Sequence, residues 1–462
     1  MKKILALVLA LAMAMSLVAC GSSNGGSSKP ADASADKSTP ASSADGDAST
    51  PAGGDSASAD EITLWTYPIG NWGKEEVVKE LTDGFTAETG IKVNVEYLDY
   101  TNGDDKVGSA ITAHQTPDLI MEGPERLVAN WGANGYLVDL SDLMDDTDKS
   151  EIQESVLNAC TNSEGAVYEY PLVMTAHCMA INLNAFKEAG ADQYLDLENH
   201  TWTTENFIKA VQALYAYYGD TVGAVYCAGQ GGDQGTRALV NNLYGGTFTN
   251  DDHTAYTWDD EANIKALETL KGLDGISFDA SLAGGDEIAK FYQGTLKMAF
   301  CWNIAQQLNP NQADTGAGKT ISGDDIVFMS FPSETGTSKL QGGIWGFGVF
   351  DNGDDAKIAA AKQFVKYMCD SEHTVDAVKA ANYFAVRNTA EGTDLSNIWA
   401  DNEIMNDYQV LMPYLGDYYQ VTTGWAGART AWWNMLQKIG EGEDIPTTVA
   451  SYMAEANTPT EG

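Results

Sequence analysis

The chain has 462 residues, with 66 Asp and Glu against 26 Lys and Arg, a formal net charge of −40. A surface that acidic repels phosphate backbones, which excludes nucleic acid as a partner. Its length, with 44% hydrophobic and 10% aromatic residues, predicts two or more domains with well-formed cores.

The N-terminus reads as a targeting segment. Lys2 and Lys3 precede an almost wholly apolar run over residues 4–19, short for a membrane-spanning helix, which needs roughly 20 residues. Leu17–Val18–Ala19–Cys20, followed by Gly21, resembles a lipobox. That resemblance implies a lipid on Cys20, tethering the protein to a membrane without spanning it. Residues 1–20 are read as a lipoprotein signal peptide. Residues 21–60, rich in Ser, Ala, Asp, Gly, Thr and Pro and without an aromatic, cannot bury enough apolar surface to offset their ordering entropy. They are read as a disordered tether.

Glu61 to Tyr67 alternates and is rich in strand formers. A loop with Asn71 and Trp72 follows, then a helical pattern over 74–88 that stops before Gly90. Residues 91–97 alternate again, and a helix is expected over 106–114. Leu119–Ile120–Met121 is a short apolar strand. It ends in the polar turn Glu122 to Arg126, which feeds another helix. This β-α-β-α-β-α order predicts a mostly parallel sheet flanked by helices. A second unit begins near Tyr168, with strands over 167–173 and 180–184. Helices follow from Ala185 and from Thr203, a residue placed to cap, and then from Thr236 and over 260–273. Phe291 to Asn303 reads as a helix end, a turn and a buried strand. Further strands are expected over 326–331 and in the Gly-rich 342–350. Helices over 355–369, 426–439 and 446–456 complete the chain.

Several motifs fail. Residues 313–320 nearly match the phosphate-binding loop GxxxxGK[ST], but Ala313 replaces its first glycine and the segment before it is polar. HExxH does not occur, and the five His are scattered. The Asp runs over 139–148 and 351–355 lack EF-hand spacing and read as solvated turns and helix starts. No metal or cofactor is expected. Apart from Cys20, five cysteines remain: Cys160, Cys178, Cys227, Cys301 and Cys369. The odd count leaves at least one free thiol. The wide spacing fits neither a disulfide framework nor a zinc site, so buried free thiols are expected.

In open α/β sheets, ligands sit at the carboxyl ends of strands, where Glu125 and Arg126 fall. A carboxylate beside a guanidinium suits ligand hydroxyls; the same pair also reads as a surface ion pair worth little. Trp65, Trp72, Trp202, Trp302, Trp345 and Trp425 lie at strand ends and in loops. Singly, each reads as core. As a group at turn positions they point to a cleft, because sugar rings stack their apolar faces on indole.

In order along the chain, several pieces resemble the extracellular solute-binding proteins of bacterial ABC importers, in the carbohydrate-binding branch that includes maltose-binding protein. They are Phe85 to Val93, Thr116 to Ile120, Gly135 to Leu140, Tyr170–Pro171–Leu172, Asn182 to Gly190, Thr201–Trp202–Thr203 and Gln293 to Phe300. The resemblance implies an α/β, two-lobed periplasmic-binding-protein-like fold with a hinge and an interlobe ligand cleft. Lobe one would comprise 61–173 plus 342–393, and lobe two 174–341 plus 394–462. It also implies ligand contacts: Glu125 and Arg126 as a hydroxyl-binding pair, Trp425 as a stacking platform and Arg429 as a donor. Tyr67, Asn71 and Trp72 fall in the first-strand loop, another contact region. Trp302 follows the second-lobe strand, and Trp345 completes the set. Thr175 stands where maltose-binding protein carries an acidic contact, a departure that argues against maltose itself. The expected function is capture of a sugar, in particular an oligosaccharide, by a monomer on the outer face of the cell membrane. Delivery would be to an ABC permease, without catalysis. The rival readings are a binding protein for another small polar solute, a secreted glycoside hydrolase built on two positioned carboxylates, and a glycan-binding adhesin.

Overall fold

The computed structural model describes residues 59–100, 102–229, 233–308 and 315–458. The signal peptide, Cys20 and all but the last two residues of the tether lie outside the described residues, as do Ala313 and Asp314 of the near-match to a phosphate loop. Among the described residues no helix is long and apolar enough to cross a membrane.

The first sheet has six strands in the order β11-β4-β10-β3-β1-β2. They are β1 (Glu61–Thr66), β2 (Lys92–Tyr97), β3 (Leu119–Glu122), β4 (Tyr170–Ala176), β10 (Gly342–Val349) and β11 (Phe384–Ala385). The expected parallel core is present, with β1 parallel to both β2 and β3. The sheet as a whole is mixed, because β10 runs antiparallel to β3 and β4, and β11 antiparallel to β4. The correction has a topological cause. Strands β4 and β10 carry the chain out of and back into this sheet, so they must run in opposite directions. Helix Glu75–Thr89 covers it through Val78, Thr82 and Phe85 and stops where Gly90 turns left-handed at φ 79°. Phe85 meets Phe364 of helix Asp355–Cys369 edge-on, with ring centroids 5.1 Å apart.

Only His177 separates β4 from β5 (Cys178–Asn182), yet β5 belongs to another sheet, ordered β8-β5-β9. Its partners are β8 (Met298–Trp302) and β9 (Ile326–Met329), both antiparallel. Beside them, β6 (Gly223–Tyr226) pairs parallel with β7 (Ile276–Asp279); neither strand was anticipated. Thr203 caps helix Thr204–Tyr218 as expected, its hydroxyl accepting from the Asn206 amide at 3.2 Å. Lys319, the lysine of the phosphate-loop near-match, is paired with Asp325. All five described cysteines are free; four are buried and Cys301 is half-buried.

Helix Asp233–Tyr244 lies on β8 at very close range. A Cβ on Gly235 would stand 1.8 Å from the Phe300 carbonyl oxygen, so the helix can seat there only with glycine at that position. Gly235→Ala is expected to lower stability at the upper end of roughly 1–3 kcal/mol. A urea midpoint equal to that of the wild type would show that the helix is not seated on β8.

Candidate functional site

On the first sheet the site grows from the carboxyl ends of β1, β2 and β3. Glu122 ends β3 and is buried. Pro124 then starts a short helical turn that presents Glu125 and Arg126. The Arg126 guanidinium is the hub. It donates to Asp104 through Nε (2.7 Å) and Nη2 (3.0 Å), and to Glu122 through Nη1 (2.8 Å). Its nearest approach to Glu125 is 3.9 Å. It also lies over the rings of Tyr67 and Tyr100, at 5.3 and 5.6 Å from their centroids. Those rings are stacked 5.0 Å apart, and the Tyr67 hydroxyl donates to Asp104 at 2.6 Å. Tyr67 is sealed, whereas Tyr100 is 52% exposed, so the outer face of the stack belongs to Tyr100.

Trp345 extends this aromatic strip. The ladder shifts register between Trp345 and Gly346, and the indole folds back over Gly343, where a Cβ would come within 1.9 Å of the ring. Trp345 is half-buried and stacks on Tyr383 at 4.9 Å and 13°.

The second cluster lies beside the second sheet. Asp233 opens helix Asp233–Tyr244, and Arg237 stands one turn later. Arg429, on helix Trp425–Glu441, donates to Asp233 through Nε (3.1 Å) and Nη2 (2.5 Å). Arg237 pairs with the same carboxylate and donates to the Tyr419 hydroxyl at 3.1 Å. Arg237 is fully buried and lies 4.7 Å from the Trp425 ring centroid. Burial opposes the Asp233 charge, but the two guanidiniums outweigh it and hold its carboxyl down to about 2. Phe248 stacks on Tyr419 at 4.8 Å and meets Trp425 edge-on at 5.9 Å. Trp425 therefore rests, half-buried, on an aromatic and cationic bed.

One hydrogen bond joins the clusters. The Tyr418 hydroxyl donates to Glu125 Oε2 at 2.9 Å, and the Pro124–Arg126 turn packs on the Tyr419–Val421 turn. Behind Glu125 lie two buried carboxyls, Glu122 and Glu169. Burial, then the Glu125 and Glu122 charges, raises the Glu169 carboxyl well above the ordinary range. Both its oxygens are buried without a hydrogen-bond partner. Burial also pushes Glu122 up to about 8, against the pull of Arg126.

The sequence-derived candidates divide accordingly. Glu125, Arg126 and Trp345 gather on the first sheet, and Trp425 with Arg429 on the second cluster. Tyr67 supports Tyr100 from behind. Trp72 is fully buried, with its indole N–H donated to the Ala377 carbonyl and its ring edge-on to Phe347. Trp302 is buried against Phe291 and Tyr292, its N–H satisfied by Gln307 at 2.8 Å. Neither indole offers a face to a ligand. Asn71 is half-buried in the Gly70–Gly73 turn, away from both clusters' hydrogen bonds. Sequence reasoning missed Tyr100, Asp104, Tyr383, Asp233, Arg237 and Tyr418. Three of these carried a signal. Tyr100 is an aromatic in the loop at the carboxyl end of a parallel strand, and Asp233 with Arg237 is an opposite-charge i,i+4 pair. Among the described residues no cluster of three or more His, Cys, Asp or Glu could hold a metal ion.

The family model for bacterial extracellular solute-binding proteins matches residues 80–407. The chain belongs to this family. Its curated relatives include a maltooligosaccharide ABC transporter solute-binding lipoprotein of Streptococcus pneumoniae serotype 4. It is 30% identical over 156 residues, 33% of this chain and 34% of that protein. The chain thus aligns with about a third of the length of the curated relatives it matches. Among solved structures, the sugar-binding protein MalE from Xanthomonas citri has a TM-score of 0.69 at 14% identity, covering 86% of this chain and 96% of that one. The cyclic alpha-maltosyl-1,6-maltose binding protein from Arthrobacter globiformis has 0.68 at 17%, covering 86% and 98%. The GacH receptor of Streptomyces glaucescens, solved unliganded and with acarbose, has 0.65 at 18%, covering 86% and 97%. The solute-binding protein described here therefore has the expected two-lobed α/β fold.

Two outcomes test this site. Asp233→Asn strands two guanidiniums on one neutral amide and is expected to cost about 3–5 kcal/mol of stability, read from urea unfolding; a loss under 1 kcal/mol would mean the ion cluster does not hold the lobe. The second concerns pH. A carboxyl with a raised folded pKa keeps its proton in the native state after the unfolded chain has released it. Stability therefore falls as pH rises from the ordinary carboxyl range toward the folded value. Glu122 and Glu169 act in this sense, as does Glu287, which burial pushes to about 8. Glu169→Gln should make the fall between pH 5.5 and 8 shallower by about 1.4 kcal/mol per pH unit. Parallel stability curves for the variant and the wild type would mean that Glu169 is not protonated in the fold.

Proposed function

We propose that this solute-binding protein captures an oligosaccharide between its lobes and delivers it to an ABC importer, without catalysis of its own. The observation that carries this reading is the pairing of two like-built clusters on different sheets. Each has an aromatic face, a guanidinium and a carboxylate, and the Tyr418–Glu125 hydrogen bond holds them together. Aromatic faces suit the apolar sides of sugar rings, and the acid–guanidinium pairs suit their hydroxyls. Glu125, Arg126, Trp345, Trp425 and Arg429 are the contacts, joined by Tyr100, Tyr383, Asp104 and Asp233. The names of the relatives point the same way, since they bind maltooligosaccharide, cyclic maltosyl-maltose and acarbose.

Lobe one comprises 61–173 plus 342–393, and lobe two 174–341 plus 394–462; the first crossing follows β4 to its end at Ala176. Hinge closure buries the ligand, driven by its higher affinity for the closed state. Cys20 carries the lipid that holds the monomer on the outer face of the cell membrane, within reach of its permease.

A thermal-shift screen of mono- and oligosaccharides, with amino acids and peptides as controls, tests the assignment. A ligand that binds only the native state raises the melting temperature, and an oligosaccharide-specific rise without hydrolysis is expected. A response confined to peptides, or cleavage of the sugar, would overturn it. Trp425→Ala should weaken oligosaccharide binding by roughly 1–3 kcal/mol with the fold intact; unchanged affinity in calorimetry would remove Trp425 from the site.

A further inference from the structure

Glu125 and Arg126 are neighbours in the chain but do not hold each other. Arg126 commits Nε, Nη1 and Nη2 to Asp104 and Glu122, and comes no nearer than 3.9 Å to Glu125 Oε1. Among the described residues, the only hydrogen bond to the Glu125 carboxylate is the one that the Tyr418 hydroxyl donates to Oε2 at 2.9 Å. Gly123 leaves room for that pose: a Cβ there would stand 2.9 Å from Glu125 Oε2 and 2.8 Å from the Ile344 carbonyl oxygen. The Glu125 side chain is 25% exposed. Its Oε1 carries no hydrogen bond, and a carboxylate offers lone pairs for several donors, so a ligand hydroxyl can still be accepted there.

Tyr418, by contrast, is fixed on both sides. It is buried. Before it, the Asp417 carbonyl accepts from the Gln341 side-chain amide at 3.0 Å, and the Asp417 carboxylate lies 2.8 Å from His253 Nε2. After it, Tyr419 receives Arg237 Nε on its hydroxyl and stacks on Phe248. Burial, then the Glu125 charge, raises the Tyr418 hydroxyl well above the ordinary phenol range, so it stays a donor. A carboxylate of lobe one is thus aimed by a rigid segment of lobe two. Parting the lobes breaks that bond and frees the carboxylate to turn; bringing them together restores it. We propose that Tyr418 is a positioning residue that ties recognition to closure: its hydroxyl holds Glu125 in place for the sugar only while the lobes are together. This rests on the interlobe sugar reading above. The apparent affinity then scales with the fraction of molecules whose Glu125 is held.

Solution X-ray scattering of the chain from Gly21 onward, with no sugar present, compares the wild type with Tyr418→Phe and with Glu125→Ala. The second variant breaks the same bond from the part-exposed side. Both are expected to show a larger radius of gyration than the wild type. A radius no larger in either variant would overturn the proposal. Calorimetry with maltotetraose then reads whether Tyr418 acts through Glu125. Tyr418→Phe is expected to weaken binding about tenfold, the scale of one hydrogen bond to a charged group, and to add nothing in the Glu125→Ala background. Equal effects in the two backgrounds, nil included, would also overturn it, because a purely structural role would act in both alike. No binding of maltotetraose by the wild type would count against the oligosaccharide reading; the scattering comparison needs no sugar and still decides this one.

Discussion

The architecture depends on one constraint: the chain passes between its two main sheets on strands that lie side by side. His177 alone separates β4 from β5, and its amide donates to the Gln341 carbonyl at 2.7 Å. Gln341 is the residue before β10, whose Gly342 pairs with Ala176. A third segment is stitched to the same place, because Leu340 donates to Tyr414 and accepts from Gly416. Paired strands resist shear along their ladder but bend across it. Lobes joined in this way can open and close while keeping their register, which is what a hinge requires.

Charge is managed differently on the two sides of that hinge. The second cluster compensates a buried carboxylate with two guanidiniums, a geometry that keeps Asp233 ionised and Trp425 supported. The first pairs Arg126 with both Asp104 and Glu122 and leaves Glu169 with no hydrogen-bond partner, its carboxyl pushed well above the ordinary range by burial. Removing one partner of a buried ion pair costs more than the pair contributes, so each cluster holds its members in place.

Much of the fold was legible in the sequence because its elements announce themselves locally. The helix ending at Gly90, the cap at Thr203 and the apolar strands at 119–122 and 342–349 all carry signals within a few residues. The short strands β6 and β7 and the sense of the sheet did not, since both are decided by which distant segment pairs with which. The site shows the same division. Glu125 and Arg126 could be placed from the strand that precedes them. Trp72 and Trp302 could not be told from ligand platforms, because a loop indole and a core indole have the same local sequence. What separates them is the Ala377 carbonyl and the Gln307 amide waiting inside.

The position of β10 also shapes how the molecule is made. It lies between β3 and β4 in the middle of the first sheet, yet it comes from residues 342–349. A chain emerging N-terminus first can pair β1, β2 and β3 early, but the sheet stays split until three quarters of the polypeptide has appeared. The N-terminal third therefore cannot complete the sheet alone, and the non-local pairings delay its closure. The centre of the first lobe is thus completed by a segment that the chain supplies late.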